Sequence, residues 1–226
     1  HSVNELAARG VQKGSEKSLC VVNELLIYKS RSDVCVYQGS FPQGISASLG
    51  TGQYTQAVAG TVGGKYYVSM IGEDQKSVLL VYDTRYGLWI KEDELRCEYF
   101  AALGDELFCI ADGKLIALKG TAGTLEPYVS WMAESGMLYY TNPEKKYVSR
   151  YNIRLQMEKD AEIELYVRYD EDAEWQYKGK ISATKCKTIP VPIRPKRCDH
   201  LRIRIEGRGE FKLYSVSRNL SWGSDV

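Results

Sequence analysis

Carboxylates are the first groups in this chain that could do chemistry. Glu92, Asp93 and Glu94 are followed by Asp105 and Glu106. Two carboxyl groups facing each other across a cleft are the machinery of glycoside hydrolysis. The same charges are ordinary at strand ends, which is the expected role here. Asp170, Glu171, Asp172 and Glu174 crowd one short stretch. Such oxygens could hold calcium, but a calcium loop needs a glycine to fold its ligands inward, and none is present. A solvated hairpin tip is expected. Gly60-Thr61-Val62-Gly63-Gly64-Lys65 has the glycines and lysine of a phosphate loop, yet Tyr66 stands where that loop needs Ser or Thr. A turn between strands is expected instead. His200, next to Asp199, is the one base available to a Ser-His-Asp set, and no G-x-S-x-G occurs. His1 and His200 are the only histidines, and the six cysteines have no Cys-x-x-Cys spacing, so no zinc set is expected. The cysteines are expected to be reduced and structural. The reading is a chain with no catalytic, cofactor-binding or metal-binding residues, and not an enzyme.

Aromatic and basic side chains give the remaining candidates. Trp89, Trp131, Trp175 and Trp222 accompany 17 Tyr. Aromatic rings stack on sugars, and they are also what sheets bury. Trp175 and Tyr177 occupy alternate positions after the acidic tip and are the best candidates for a glycan or partner contact. Arg194, Lys196, Arg197, Arg202, Arg204 and Arg208 form the densest basic stretch. It could meet an acidic partner, such as DNA or a neighbouring subunit. It could equally be the exposed face of an edge strand, where Lys and Arg block aggregation; that second role is favoured. Arg202 and Arg204 complete the set of candidate contact residues. The 30 basic and 29 acidic residues leave a net charge of +1. That balance gives no reason to expect generic nucleic-acid or acidic-membrane binding.

The elements that must position these residues read as strands. Cys20 to Tyr28 is expected to form one strand, and Val34 to Tyr37 answers it after a Ser30-to-Asp33 turn to give a hairpin. Glycines fill the connection from Gly39 to Gly52. Strands are then expected at Tyr54–Thr61, Lys65–Ile71, Val78–Asp83, Leu88–Lys91, Cys97–Leu103, Leu107–Ala111 and Leu115–Leu118, each bounded by Gly or Asp turns. The roughly 40-residue rhythm is that of β-propeller blades. A propeller needs about 4–8 blades to close. Residues 1–124 supply roughly three, which suggests part of a larger propeller or an open stack, with sequence missing before His1. After Tyr151 the alternation becomes strict. Tyr151, Ile153, Leu155 and Met157 point one way; Ile163, Leu165 and Val167, then Leu201, Ile203 and Ile205, repeat the pattern. Period 2 with charged outward positions marks strands with one buried and one wet face. Pro190, Pro192 and Pro195 mark an edge strand or crossover. Residues 125–226 are expected to form a β-sandwich or jelly roll. The fold class is therefore all-β: partial β-propeller-like antiparallel meanders, then a sandwich. Asn4 to Ala8 could form one short helical turn, and no stretch of about 20 apolar residues exists to span a membrane.

Longer phrases add a resemblance. GVQKGSEKSLCVVNELLIYKSRSDVCVYQGSFPQGIS resembles a segment of large virion proteins encoded by phages and prophages of Gram-positive bacteria. The likeness continues through VAGTVGGKYYVSM and VLLVYDTRYGLWIKED, then KKYVSRYNIRLQM and PKRCDHLRIRIEGRGEFKLYSVSRNLSWGSDV. These proteins look like the propeller-containing accessory proteins that plug the head-to-tail channel of short-tailed phages. The resemblance implies the C-terminal portion of a structural subunit, located in the virion and made in the bacterial cytoplasm. Its partners would be other virion proteins or copies of itself, with surface glycan as the alternative ligand and DNA contact left open.

Overall fold

The structure is a computed structural model, and it describes residues 9–119, 130–139, 146–172, 174–193 and 198–222. The expected turn at Asn4 to Ala8 lies outside them. The chain is all-β and divides into two compact units, His1–Thr124 and Leu125–Val226. Among the described residues the helices are two single 3-10 turns, Glu16–Ser18 and Ala47–Leu49. No helix there is long and apolar enough to cross a membrane.

The first unit is three antiparallel meanders. Strands β1 (Cys20–Val22), β2 (Leu25–Lys29), β3 (Val34–Tyr37) and β4 (Gln43–Gly44) form one sheet in chain order. Strands β5 (Tyr54–Val62), β6 (Lys65–Gly72), β7 (Ser77–Asp83) and β8 (Leu88–Asp93) form the second, and β9 (Cys97–Leu103), β10 (Glu106–Ala111) and β11 (Lys114–Lys119) the third. Among the described residues no sheet closes on itself. The run from Cys20 to Tyr28 is not one strand. Asn23 and Glu24 both take positive φ, 47° and 66°, and turn the chain into a tight hairpin between β1 and β2. Positive φ at both central residues is the geometry whose twist suits a two-residue hairpin.

Strand β6 explains how these sheets stack. It is buried on both faces. Tyr66, Val68 and Met70 meet Val22, Ile27 and Val34 of the first sheet. Tyr67 faces the other way, into a cluster with Val62, Val81 and Leu107 that reaches the third sheet. Two polar groups that this stacking buries are satisfied. The Tyr66 hydroxyl donates to the Ser18 carbonyl at 2.8 Å. Ser69 Oγ donates to the Leu95 carbonyl at 2.8 Å and accepts from the Cys97 N–H at 3.0 Å. Gly60 lets β5 run against β9, because a Cβ there would collide with the Phe100 side chain.

The second unit is a sandwich. Strands β12 (Ser130–Glu134), β13 (Leu138–Tyr139), β14 (Lys146–Met157), β15 (Glu162–Tyr169), β16 (Gln176–Ile181), β17 (Lys187–Pro192), β18 (His200–Arg208) and β19 (Phe211–Trp222) divide into two sheets. One has the order β12-β18-β15-β16, with β13 also on β18; the other is β17-β14-β19. Tyr151, Ile153, Leu155 and Met157 of β14 and Ile163, Leu165, Val167 and Tyr169 of β15 share one core. Pro190 and Pro192 lie on β17, an edge strand, where a missing N–H costs least. Trp131 stacks on Phe211 with ring centroids 4.1 Å apart, tying β12 to the start of β19 in the facing sheet. Gly207 makes room for it, since a Cβ there would lie 2.5 Å from the indole.

Two outcomes follow. Leu165 is fully buried in the shared core. Leu165→Ala is expected to cost about 2–5 kcal/mol, read from urea unfolding of the whole chain. Asp83 is buried at the end of β7, with Arg85 at 3.1 Å and Lys65 at 3.9 Å. The Arg85 hydrogen bond holds its carboxyl below the usual carboxylate range. A lowered folded value gives stability that is present above roughly pH 4 and lost as pH falls through that value. Asp83→Asn should lower the thermal midpoint at pH 7, and its deficit should close as pH approaches the folded value from above.

Candidate functional site

The outward face of the β12-β18-β15-β16 sheet gathers all the residues singled out as contacts. Register builds it in rows. Glu134, Arg204, Tyr166 and Tyr177 face one another across the four strands. Met132, Glu206, Glu164 and Lys180 form the neighbouring row, and Arg202 faces Arg168 on the other side. The alternation that buries Leu201 and Ile205 sends Arg202 and Arg204 to this face. Trp175, just before β16, joins them from the hairpin.

These groups neutralise and hold one another. Glu134 Oε1 accepts from Arg202 at 3.3 Å, and its Oε2 accepts from Arg204 at 3.1 Å. Arg204 also reaches Glu206 at 3.2 Å. Its guanidinium carbon stands 4.3 Å from the centroid of the Trp175 ring, and that of Arg168 stands 5.0 Å away. Both distances are within the range of cation–π attraction. The Arg204 Nε is buried with no hydrogen-bond acceptor. Tyr166 and Tyr177 meet edge to face with centroids 5.5 Å apart. The Tyr166 hydroxyl donates to Glu164 at 2.6 Å, which pushes its pKa up to about 12. Glu162 accepts from Lys180 at 2.5 Å and from Arg208 at 3.1 Å, and these cations hold its carboxyl below the usual range, the Lys180 bond most of all. Tyr177 remains 54% exposed at the end of its row. The face is therefore preorganised and patterned with both signs. A sugar stacking on Trp175 would have to compete with guanidinium groups already beside the ring.

The other candidates are dispersed. His200 is buried; its Nδ1 lies 3.9 Å from Asp170 Oδ1, its Nε2 lies 3.7 Å from Glu171 Oε1, and its ring is 5.3 Å from that of Tyr139. Asp170 Oδ1 accepts the backbone N–H groups of Asp199 and His200 at 2.8 and 3.1 Å, so the acidic tip fastens β15 to the start of β18. Glu94 is paired with Lys91 at 2.7 Å, and Asp93 accepts the Glu94 N–H at 2.6 Å. Gly63 and Gly64, with φ of 58° and 74°, turn β5 directly into β6, as a hairpin does and a phosphate loop does not. Trp89 donates to the Ile45 carbonyl at 2.7 Å, and Trp131 to the Gly209 carbonyl at 3.1 Å. Arg194, Lys196, Arg197 and the Trp222 side chain lie outside the described residues. No cluster of metal-ligating side chains occurs among the described residues.

Sequence reasoning missed Glu134, the carboxylate that clamps both arginines. It sits on a short strand about 70 residues upstream, and no local pattern announces that partnership. Tyr166 and Arg168 lie outward because they alternate with the buried Leu165, Val167 and Tyr169 of β15.

No family model and no curated protein matches the chain. Solved structures that align with it include an exo-beta-1,3-galactanase from Phanerochaete chrysosporium with galactose and a variant of that enzyme with beta-1,3-galactotriose. Identity is 8% in both, with TM-scores of 0.29 and 0.28. The alignments cover 84% of this chain, and the chain spans 65% of the length of the solved structures it matches. Likeness at that level carries no argument about fold or activity.

The cysteines supply a check on the burial pattern. All six are thiols: Cys35, Cys97, Cys109 and Cys198 are buried, Cys20 is half-buried and Cys186 is exposed. Burial pushes the Cys20 pKa up to about 11, and the thiolate is the reactive form. A native-state thiol assay should show a single fast reaction, abolished by Cys186→Ser. Several fast thiols would contradict this arrangement.

Proposed function

We propose that this chain is a non-catalytic structural component of a tailed-phage particle, at the tail or the head–tail connector, and that it works through protein–protein contacts. One observation carries the contact part of this reading. Trp175, Tyr177, Arg202 and Arg204 converge on one sheet face, already ordered by Glu134 and Glu206. Trp, Tyr and Arg are the residues that dominate the energetics of protein interfaces, and side chains held in place before binding lose less entropy on docking. The phage part is supported by the resemblance of the long sequence phrases. The partners on this reading are other virion proteins or further copies of the chain.

The test is incorporation into particles. Mass spectrometry of purified particles from an induced lysogen should find the chain at a fixed stoichiometry. A Tyr177→Ala variant, supplied in trans, should be incorporated about tenfold less, the effect of losing roughly 1.4 kcal/mol of contact energy. Tyr177 is half-exposed, so its removal should cost only the edge-to-face contact with Tyr166, about 0.5–1.5 kcal/mol, and leave the variant folded, as its thermal unfolding checks. Absence of the wild-type chain from the particles would reject the virion role. Normal incorporation of the variant would reject this face as the contact.

A further inference from the structure

The two sheets of the second unit differ in charge in a way that the net charge of the chain conceals. The five-stranded sheet alternates signs and pairs them. The three strands of the other sheet contain no Asp or Glu, yet carry Lys146, Arg150, Arg154, Lys187, Lys212 and Arg218. The nearest acids in sequence, Glu158 and Glu210, fall beyond the strand ends. Arg150 and Arg154 alternate outward with Asn152 and Gln156 along β14, opposite to the buried Tyr151, Ile153 and Leu155. Lys212 lies opposite Gln156 on β19. Arg150, Arg154 and Lys212 are all exposed, and among the described residues none of them makes an ion pair.

We propose that the outer face of the β17-β14-β19 sheet binds the phosphate backbone of duplex nucleic acid, without reading its sequence. Arg150 and Arg154 are four residues apart on one face, about 13 Å along the strand. A duplex presents one negative charge per about 1.7 Å of its axis, so a straight basic row finds phosphates along its whole length. The groups between and beside the cations are amides and hydroxyls: Asn152, bonded to Asn219 at 3.0 Å, Gln156, which accepts from the hydroxyl of the exposed Tyr214 at 3.4 Å, and Ser217. Arg and Lys with amide and hydroxyl groups are the set that contacts phosphate and sugar oxygens. A single strand would call for a run of aromatic platforms for its bases. On this face Asn152 lies between the arginines and Gln156 just beyond Arg154, and among the described residues Tyr214 is the one exposed ring beside them, short of a run of platforms, so the duplex is favoured. An edge of this sheet is already lined by prolines, which leaves the face, not the edge, as the route of contact.

The test is fluorescence anisotropy of a labelled 30-base-pair duplex with the full chain at 50–200 mM salt. Three phosphate contacts predict a slope of log K against log salt of about −2.7, or roughly 40-fold weaker binding over that range. Arg150→Gln/Arg154→Gln should bind at least about tenfold more weakly at 50 mM salt, with the slope falling to about −0.9. Lys91→Gln/Lys114→Gln removes the same charge from the first unit and should bind like the wild type. Circular dichroism checks that each variant folds. No binding at 50 mM salt would overturn the proposal, as would an unaffected Arg150/Arg154 variant. It would also fall if a single strand of equal length bound more tightly, or if polyglutamate or polyglycerol phosphate competed equally at matched charge.

Discussion

The second unit depends on one constraint: a strand repeats every two residues, so burying one face commits the other to solvent. In β14 and β15 this commitment is nearly unbroken. Ile153, Leu155, Ile163, Leu165 and Val167 are each at most 1% exposed, and the residues between them are not buried. A slip of one residue in either strand would send that whole apolar set into water and bring Arg154 or Glu164 into the core. The core thereby dictates which charged residues appear together outside. The face that clamps Trp175 and the face that carries Arg150 and Arg154 both follow from the same buried contact between sheets.

The first unit solves a different problem. Its middle sheet has neighbours on both sides, so β6 cannot alternate and reads as the continuous run YYVSMI. A two-sided buried strand tolerates a polar residue only where its hydrogen bonds are complete. Ser69 meets that condition by donating to Leu95 and accepting from Cys97, which also fixes where β9 begins. Position in the stack and hydrogen-bond geometry are thus specified by the same side chain.

Local pattern made most of the strands legible, because alternation and glycine turns act over a few residues. It failed at Asn23-Glu24. A hairpin there demands two left-handed residues, and Glu is an unusual occupant of such a position, so the apolar run concealed the turn. The candidate contact face was legible in part. Parity placed Arg202 and Arg204 outward, but the partner that determines their role, Glu134, comes from β12, whose pairing with β18 is a long-range choice. The basic face of β17, β14 and β19 was not legible at all. Arg150 and Arg154 lie on one strand and Lys212 about 60 residues away on another, and neither segment is dense enough to stand out.

That contrast bears on how basic residues are weighed. Within the stretch from Arg194 to Arg208, the described Arg202, Arg204 and Arg208 each lie within 3.3 Å of a glutamate oxygen. Charges so paired cancel at distances beyond a Debye length of about 8–10 Å and contribute little to attracting a distant polyanion. Arg150, Arg154 and Lys212 are fewer and farther apart in sequence, but the ladder lays them on one face with no carboxylate among them. The field that a partner meets is set by what remains unneutralised after strands pair. The density of arginines along the chain is therefore a poor guide to where an acidic partner would bind, and the sheet register is the better one.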